Sequence, residues 1–461
     1  MGRSVEQELA TVVLGDRRLE ARARRVVTQL SRHPGAAFAV AGEDGAGAEA
    51  LYRFFQNEAV RPEAVLEAHA AATWERVRGL GRVLVVQDTT GLDYTRHRGA
   101  EGLGVTHERG GRGIFVHTGL ALTEAGEPLG VVHQERWVRP AEEAGKRDSR
   151  RERAWEEKES YRWQRTVAAV SSDRPPQQPV LIIGDRESDV YGLLVSPRPA
   201  GVELLVRSAQ NRKLSEEAGY LHAALRQGPA AGKLVVEVGR AQERPARSAC
   251  CEVRFREVTL AVPRHADGGV PKLPVRVWAV LLEEPHPPQG EQALHWVLLA
   301  TWPLTSLEEA VQAAGYYSRR WLVERFHYVL KSGCKLEAAQ LRTCARLERL
   351  AAVYTIVAWR LLALTYEARL HPERACTLVL SELEWQVLYA HQHHRLPDTE
   401  ETVTPLGEAF VWVAKLGGYW GRKHDAPPGV KVLWQGLMRL QEMVRGFQLA
   451  ASLLSPGARC D

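Results

Sequence analysis

The stretch Tyr316-Tyr317-Ser318-Arg319-Arg320-Trp321-Leu322-Val323-Glu324-Arg325-Phe326-His327-Tyr328-Val329-Leu330-Lys331 contains neither Gly nor Pro and predicts a helix. Offsets of 3, 7 and 14 residues from Tyr317 bring Arg320, Glu324 and Lys331 to nearly the same angular position. One stripe thus carries a carboxylate between two cations and a phenol. Such a stripe can offer a metal-binding oxygen to a phosphodiester while the cations hold its phosphates. Taken alone, it fits equally well an amphipathic surface helix with an ordinary Arg/Glu pair.

Two upstream segments supply partners for Glu324. Residues 82–90 form an apolar, β-branched run that ends on Asp88 before an expected turn at Gly91. Residues 179–189 repeat the arrangement, the run stopping at Gly184 and Asp185. In open α/β sheets chemistry collects at the carboxyl ends of strands, where two aspartates and a helical glutamate can converge. Three hard oxygen ligands suit Mg²⁺, with Mn²⁺ as substitute. Two such ions about 3.5–4 Å apart would serve an in-line phosphoryl transfer. An acid after a strand can also be a turn former. Glu187 and Asp189 compete with Asp185; Asp189 is expected to cap a helix near Val190, and Glu187 to lie behind the ligands.

The pattern resembles the DDE transposases of the insertion-sequence-four group, most closely the Tn-five type of cut-and-paste transposase. Their Tyr-Arg-Glu-Lys signature is matched by Tyr317, Arg320, Glu324 and Lys331, and their first two acids by Asp88 and Asp185. Further matches are Tyr52-Arg53-Phe54, His133-Gln134-Glu135, Trp137-x-Arg139-Pro140, Glu157-Lys158-Glu159-Ser160, Val206-Arg207-Ser208, Arg244-Pro245-Ala246-Arg247 and Leu416-Gly417-Gly418. The resemblance implies an RNase H-like α/β core with Asp88, Asp185 and Glu324 as catalytic metal ligands and two divalent ions per site. It also implies that Tyr317, Arg320 and Lys331 grip phosphates near the cleavage point.

The 461 residues are 45% hydrophobic, which suits a folded protein of more than one domain. A net charge of +5 does not by itself announce a nucleic-acid binder. Six cysteines show no spacing typical of zinc, and the longest apolar stretch, 350–366, is interrupted by Arg360, so neither a structural metal nor a membrane span is expected. A cytoplasmic, nucleoid-associated protein without nucleotide cofactor is the expectation. Asp16 can cap an arginine-rich helix to about Ser31, ended by Pro34-Gly35; a loop at 42–47, a second helix carrying Leu51, Phe54 and Phe55, and a third from Pro62 follow. Residues 1–65 thus form a helical module, which the resemblance makes the reader of transposon-end DNA, with Arg22, Arg25 and Arg53 as candidate contacts.

Asp185 and Glu324 lie 139 positions apart, and the intervening chain reads as strands at 233–238, 252–262, 275–282 and 294–300, which predicts a mainly β insertion at about 208–304. From Gly201 to His265 there are 11 Lys/Arg against 7 Asp/Glu, with Arg207, Arg212 and Lys213 as candidate phosphate contacts or ordinary surface residues. Trp296 resembles the family's tryptophan that holds a flipped base; a core role, or Trp302 in its place, is the alternative. The catalytic domain would span 66–368 and a helical C-terminal domain 369–461, where the resemblance implies homodimerisation. The Leu437, Leu440, Val444 and Phe447 stripe there can close an intrachain core or form a subunit contact. His391, His393 and His394 read as loop residues, and the linker 391–403 carries Asp398, Glu400 and Glu401 in place of the basic run the family leads one to expect.

The expected reaction is metal-dependent: nicking of double-stranded transposon ends, hairpin formation and opening, and joining of 3′-ends to target DNA. Two alternatives are a metal-dependent nuclease without strand transfer and a catalytically inert DNA-binding descendant.

Overall fold

The apolar run Val83–Val86 has every side chain buried, and alternate residues face opposite sides. In a computed structural model of the chain, which describes residues 5–107, 110–140, 153–216, 219–239, 246–398 and 402–454, this run opens β1 (Val83–Asp93). Leu84 and Val86 enter one hydrophobic core with Leu181, Ile183, Leu205 and Leu298, while Val83 and Val85 enter another with Val180, Ile182, Leu204 and Trp163. Each such side chain contributes about 1.5–3 kcal/mol through burial. A central sheet covered on both faces follows from that pattern.

The strands are β1, β2 (Gly104–His107), β3 (Gly111–Leu122), β4 (Pro128–Trp137), β5 (Val180–Gly184), β6 (Val202–Arg207), β7 (Gly232–Val238), β8 (Arg247–Leu260), β9 (Val275–Glu283) and β10 (His295–Ala300). They form one sheet in the order β2-β3-β1-β5-β6-β10-β9-β8-β7, with β4 also pairing β3. β1 runs antiparallel to β3 and parallel to β5, β5 runs parallel to β6, and the other pairs are antiparallel. The four strands after residue 207 continue this sheet, β10 pairing with β6 through Leu298 and Arg207.

The expectations for Gly91, 42–47 and 316–331 need correction. β1 does not turn at Gly91: it stays paired with β3 to Asp93, and only its pairing with β5 ends, at Val86 and Ile183. The segment 42–47 is not all loop, because a helix Gly45–Gln56 starts within it, capped by the Asp44 side chain. Glycine permits this, since a Cβ on Gly47 would overlap the Gly42 carbonyl. The helix expected over 316–331 is broken in two places. One helix, Leu307–Ser318, gives way at Arg319 and Arg320 to short i→i+3 bonds; a second, Trp321–Tyr328, runs into a π turn at Val329–Gly333.

The helical ends fold against this core. Asp16 caps the helix Arg17–Arg32 by accepting from the Arg18 N–H at 2.7 Å, and Pro62 opens the helix Pro62–Val77. The long helix Cys344–Leu370 is buried along most of its length. Among the described residues no helix is long and apolar enough to cross a membrane. His391 and His393 belong to the helix Glu382–His393, where His393 packs on Tyr389 and Trp412, so they are not loop residues. Leu433, Leu440 and Val444 of the helix Val430–Leu454 close an intrachain core, and Phe447 is exposed beyond them. Arg244, the charged run 142–152, Glu400 and Glu401 lie outside the described residues.

Candidate active site

Asp88 sits where β1 parts from β5, half-buried and accepting the Thr89 N–H at 2.8 Å. Burial pushes its carboxyl up to about 7, and the negative charges of Asp185 and Glu324 push the same way against the Thr89 hydrogen bond and Arg320. Asp185 follows β5 and accepts the Glu187 N–H at 2.8 Å, capping a short 3₁₀ turn. Glu324 stands on the first turn of its helix with its side chain 54% exposed, open to a ligand.

Arg320 joins two of these acids. Its Nη1 lies 3.8 Å from Asp88 and its Nη2 donates to Glu324. The guanidinium also stands 6.0 Å from the Tyr317 ring, which meets Trp296 edge-on at 5.0 Å, and Arg207 lies 5.9 Å from Trp296. The stripe therefore continues across the sheet to β10 and β6. Trp302 sits elsewhere, with Arg82 near the start of β1. Lys331 lies on the π turn, and its ammonium reaches the Gly91 carbonyl at 2.8 Å and Glu337 at 3.1 Å.

The donor set fits a hard divalent cation: three carboxylates from three elements, one of them destabilised by the other two. The cage is not closed. Among the described residues no group of three or more His, Cys, Asp or Glu is arranged to hold a metal ion. The Arg320 guanidinium meanwhile supplies positive charge between Asp88 and Glu324.

Other candidate contacts are placed differently. Arg212 is buried, its guanidinium 2.6 Å from Asp189, and presents no open face to a phosphate. Asp189 does not cap the helix near Val190; it accepts from Ser208, Ala209, Gln210 and Arg212. Lys213, Arg22, Arg25 and Arg53 are exposed, Arg53 pairing with Glu49 at 2.5 Å.

The sequence reading missed a buried polar layer behind the acids. His327, three residues after Glu324, lies 3.2 Å from Thr118 Oγ1 on β3. On the opposite face of that strand His117 bonds Thr89, which in turn accepts from Arg162. The one available signal was a cation, Arg162, on a helical face otherwise carrying Thr166, Val167 and Val170.

Two family matches frame this site. Residues 1–60 match the transposase DNA-binding family, and residues 356–457 match the Tn5 transposase dimerisation domain. Among solved structures the chain is similar to a piggyBac transposase synaptic complex with hairpin DNA, at 10% identity and a TM-score of 0.34, over 99% of this chain and 79% of that one. That likeness is too slight to carry a conclusion. Both ends of the chain thus match transposase domains, and the C-terminal match is to one of the Tn5 type.

Proposed function

We propose that Asp88, Asp185 and Glu324 are the catalytic centre of a cut-and-paste reaction, in which this transposase nicks the ends of its element, forms and opens hairpins, and joins the freed 3′-ends to target DNA. The observation that carries the reading is the Asp88 carboxyl, which feels the charges of both other acids although the three come from different elements. Divalent Mg²⁺ or Mn²⁺ held by these acids would polarise the attacking and leaving oxygens. The strand order β4-β3-β1-β5-β6, antiparallel on one side of β1 and parallel on the other, supports an RNase H-like core.

The chain's own groups have distinct tasks in this scheme. Arg320 neutralises Asp88 and Glu324 at rest and offers its fork to a phosphate when DNA arrives. Lys331 braces the Glu324 helix against β1 through Gly91 and adds charge at the same place. Trp296 and Arg207 give an unstacked base an aromatic face and a neighbouring cation. The exposed arginines of residues 1–60 would read end DNA, and residues 356–457 would pair two protomers so that both ends are held together.

The test is cleavage and joining of the element's own ends with Mg²⁺ by wild type and Glu324→Ala. Wild type is expected to yield nicked, hairpin and joined products, and the variant none. Full cleavage by Glu324→Ala rules out the site. Cleavage without joined products makes the protein a nuclease, and tight binding without nicks in either metal makes it an inert binder.

A further inference from the structure

Arg162, first residue of the helix Arg162–Asp173, is only 8% exposed and reaches both segments that carry the candidate aspartates. Its Nε donates to Thr89 Oγ1 at 2.8 Å, its Nη2 to Glu187 Oε2 at 2.7 Å, and its Nη1 to the Glu159 carbonyl at 3.0 Å. Thr89 is the residue whose backbone N–H Asp88 accepts, and Glu187 is the residue whose backbone N–H Asp185 accepts. One guanidinium thus grips the side chain of each residue that orients an aspartate. The first arm is fixed further inward. His117 Nε2 faces the acceptor Gln87 Oε1 at 3.2 Å and so carries the ring proton, which leaves Nδ1 to accept the Thr89 hydroxyl proton at 2.9 Å while Thr89 Oγ1 accepts from Arg162.

We propose that Arg162 is a positioning residue that sets the spacing and orientation of Asp88 and Asp185 by clamping Thr89 and Glu187 at once. A planar fork suits that task; an ammonium at the same place keeps the charge but cannot hold both arms in a fixed geometry. Partners behind metal ligands typically govern affinity by about 10–100-fold, and this clamp acts on both strand ends. The inference rests on the three-acid reading above.

The experiment measures Mn²⁺ binding to the full-length protein without DNA, by loss of the free-ion paramagnetic resonance signal, alongside the unfolding midpoint and end-DNA affinity. Arg162→Lys is expected to weaken Mn²⁺ by about 10–100-fold, and Thr89→Val toward the lower end of that range, with DNA affinity unchanged and both variants, though melting lower, still folded at the assay temperature. Wild-type Mn²⁺ affinity in Arg162→Lys, or a loss that merely tracks unfolding, overturns the proposal. Should Arg162→Lys fail to fold, Thr89→Val decides, and wild-type affinity there overturns it too. Asp88→Asn separates the two readings. If it binds Mn²⁺ as wild type does, the three-acid site itself falls; if it loses Mn²⁺ while Arg162→Lys does not, only the role of Arg162 falls.

Discussion

Arg320 holds its guanidinium 3.8 Å from the Asp88 carboxylate, and the same group pairs with Glu324. Two acids that would otherwise repel each other are thereby kept together by a side chain of the same helical segment. The arrangement is assembled before any substrate arrives, and its electrostatics are readable by substitution.

Arg320→Ala removes a counter-charge and, in the proposed scheme, a phosphate donor. Hydrogen bonds to charged groups are worth about 1.5–3 kcal/mol, so end cleavage at pH 7 should fall roughly 10- to 150-fold. Part of the loss should return at higher pH, where Asp88 ionises without help. A rate within twofold of wild type, with an unchanged pH profile, would remove Arg320 from the site.

Asp88 gives a stability prediction for the metal-free protein. Its folded pKa of about 7 lies above the ordinary 3.8, so the folded state binds more protons between those values and loses stability as pH rises through the window. The penalty is absent below pH 4 and reaches at most about 4 kcal/mol above pH 7. Asp88→Asn should therefore melt higher than wild type at pH 8, with the gain shrinking toward pH 4.5. Equal melting at both pH values would contradict the shift.

Trp296→Ala should slow hairpin formation more than the first nick. Loss of one base-stacking contact costs about 1–3 kcal/mol, or roughly 5- to 150-fold on the step that needs an unstacked base. Trp302→Ala should leave the ratio of nicked to hairpin product unchanged. Denaturing gels of end DNA resolve the products, and an equal effect of both substitutions would deny Trp296 its role.

Arg212 and Lys213 are neighbours with opposite expectations. Arg212→Ala strands the buried Asp189 carboxylate and should cost about 3–5 kcal/mol of stability. Lys213→Ala, at an exposed position, should leave stability alone and lower the salt dependence of DNA binding. Thermal melts and affinities at several salt concentrations distinguish them; a stable Arg212→Ala protein with weak DNA binding would reverse the assignment.

Local pattern made some of this legible in advance. The runs before Asp88 and Asp185 could be read because strands buried on both faces need unbroken apolar residues. Glu324 could be read because helical spacing aligned it with Arg320. The break at Arg319 and Arg320 could not, since both residues keep right-handed helical dihedrals and only the hydrogen-bond partners change. Arg212 looked like a surface cation because nothing local reveals that Asp189, 23 residues earlier, folds back onto it. Arg162 escaped notice for the same reason: Thr89 and Glu187 meet it only through tertiary folding.

The pairing of β10 with β6 bears on how this protein can be cut down. A cassette looped out of a finished domain can be deleted and its ends rejoined. Here, removing residues 208–304 would strip β6 of β10 on one side and bare the backbone donors and acceptors of Leu205–Arg207. Such an open edge invites pairing with another chain, so a minimised version lacking that segment should precipitate unless a replacement strand covers it.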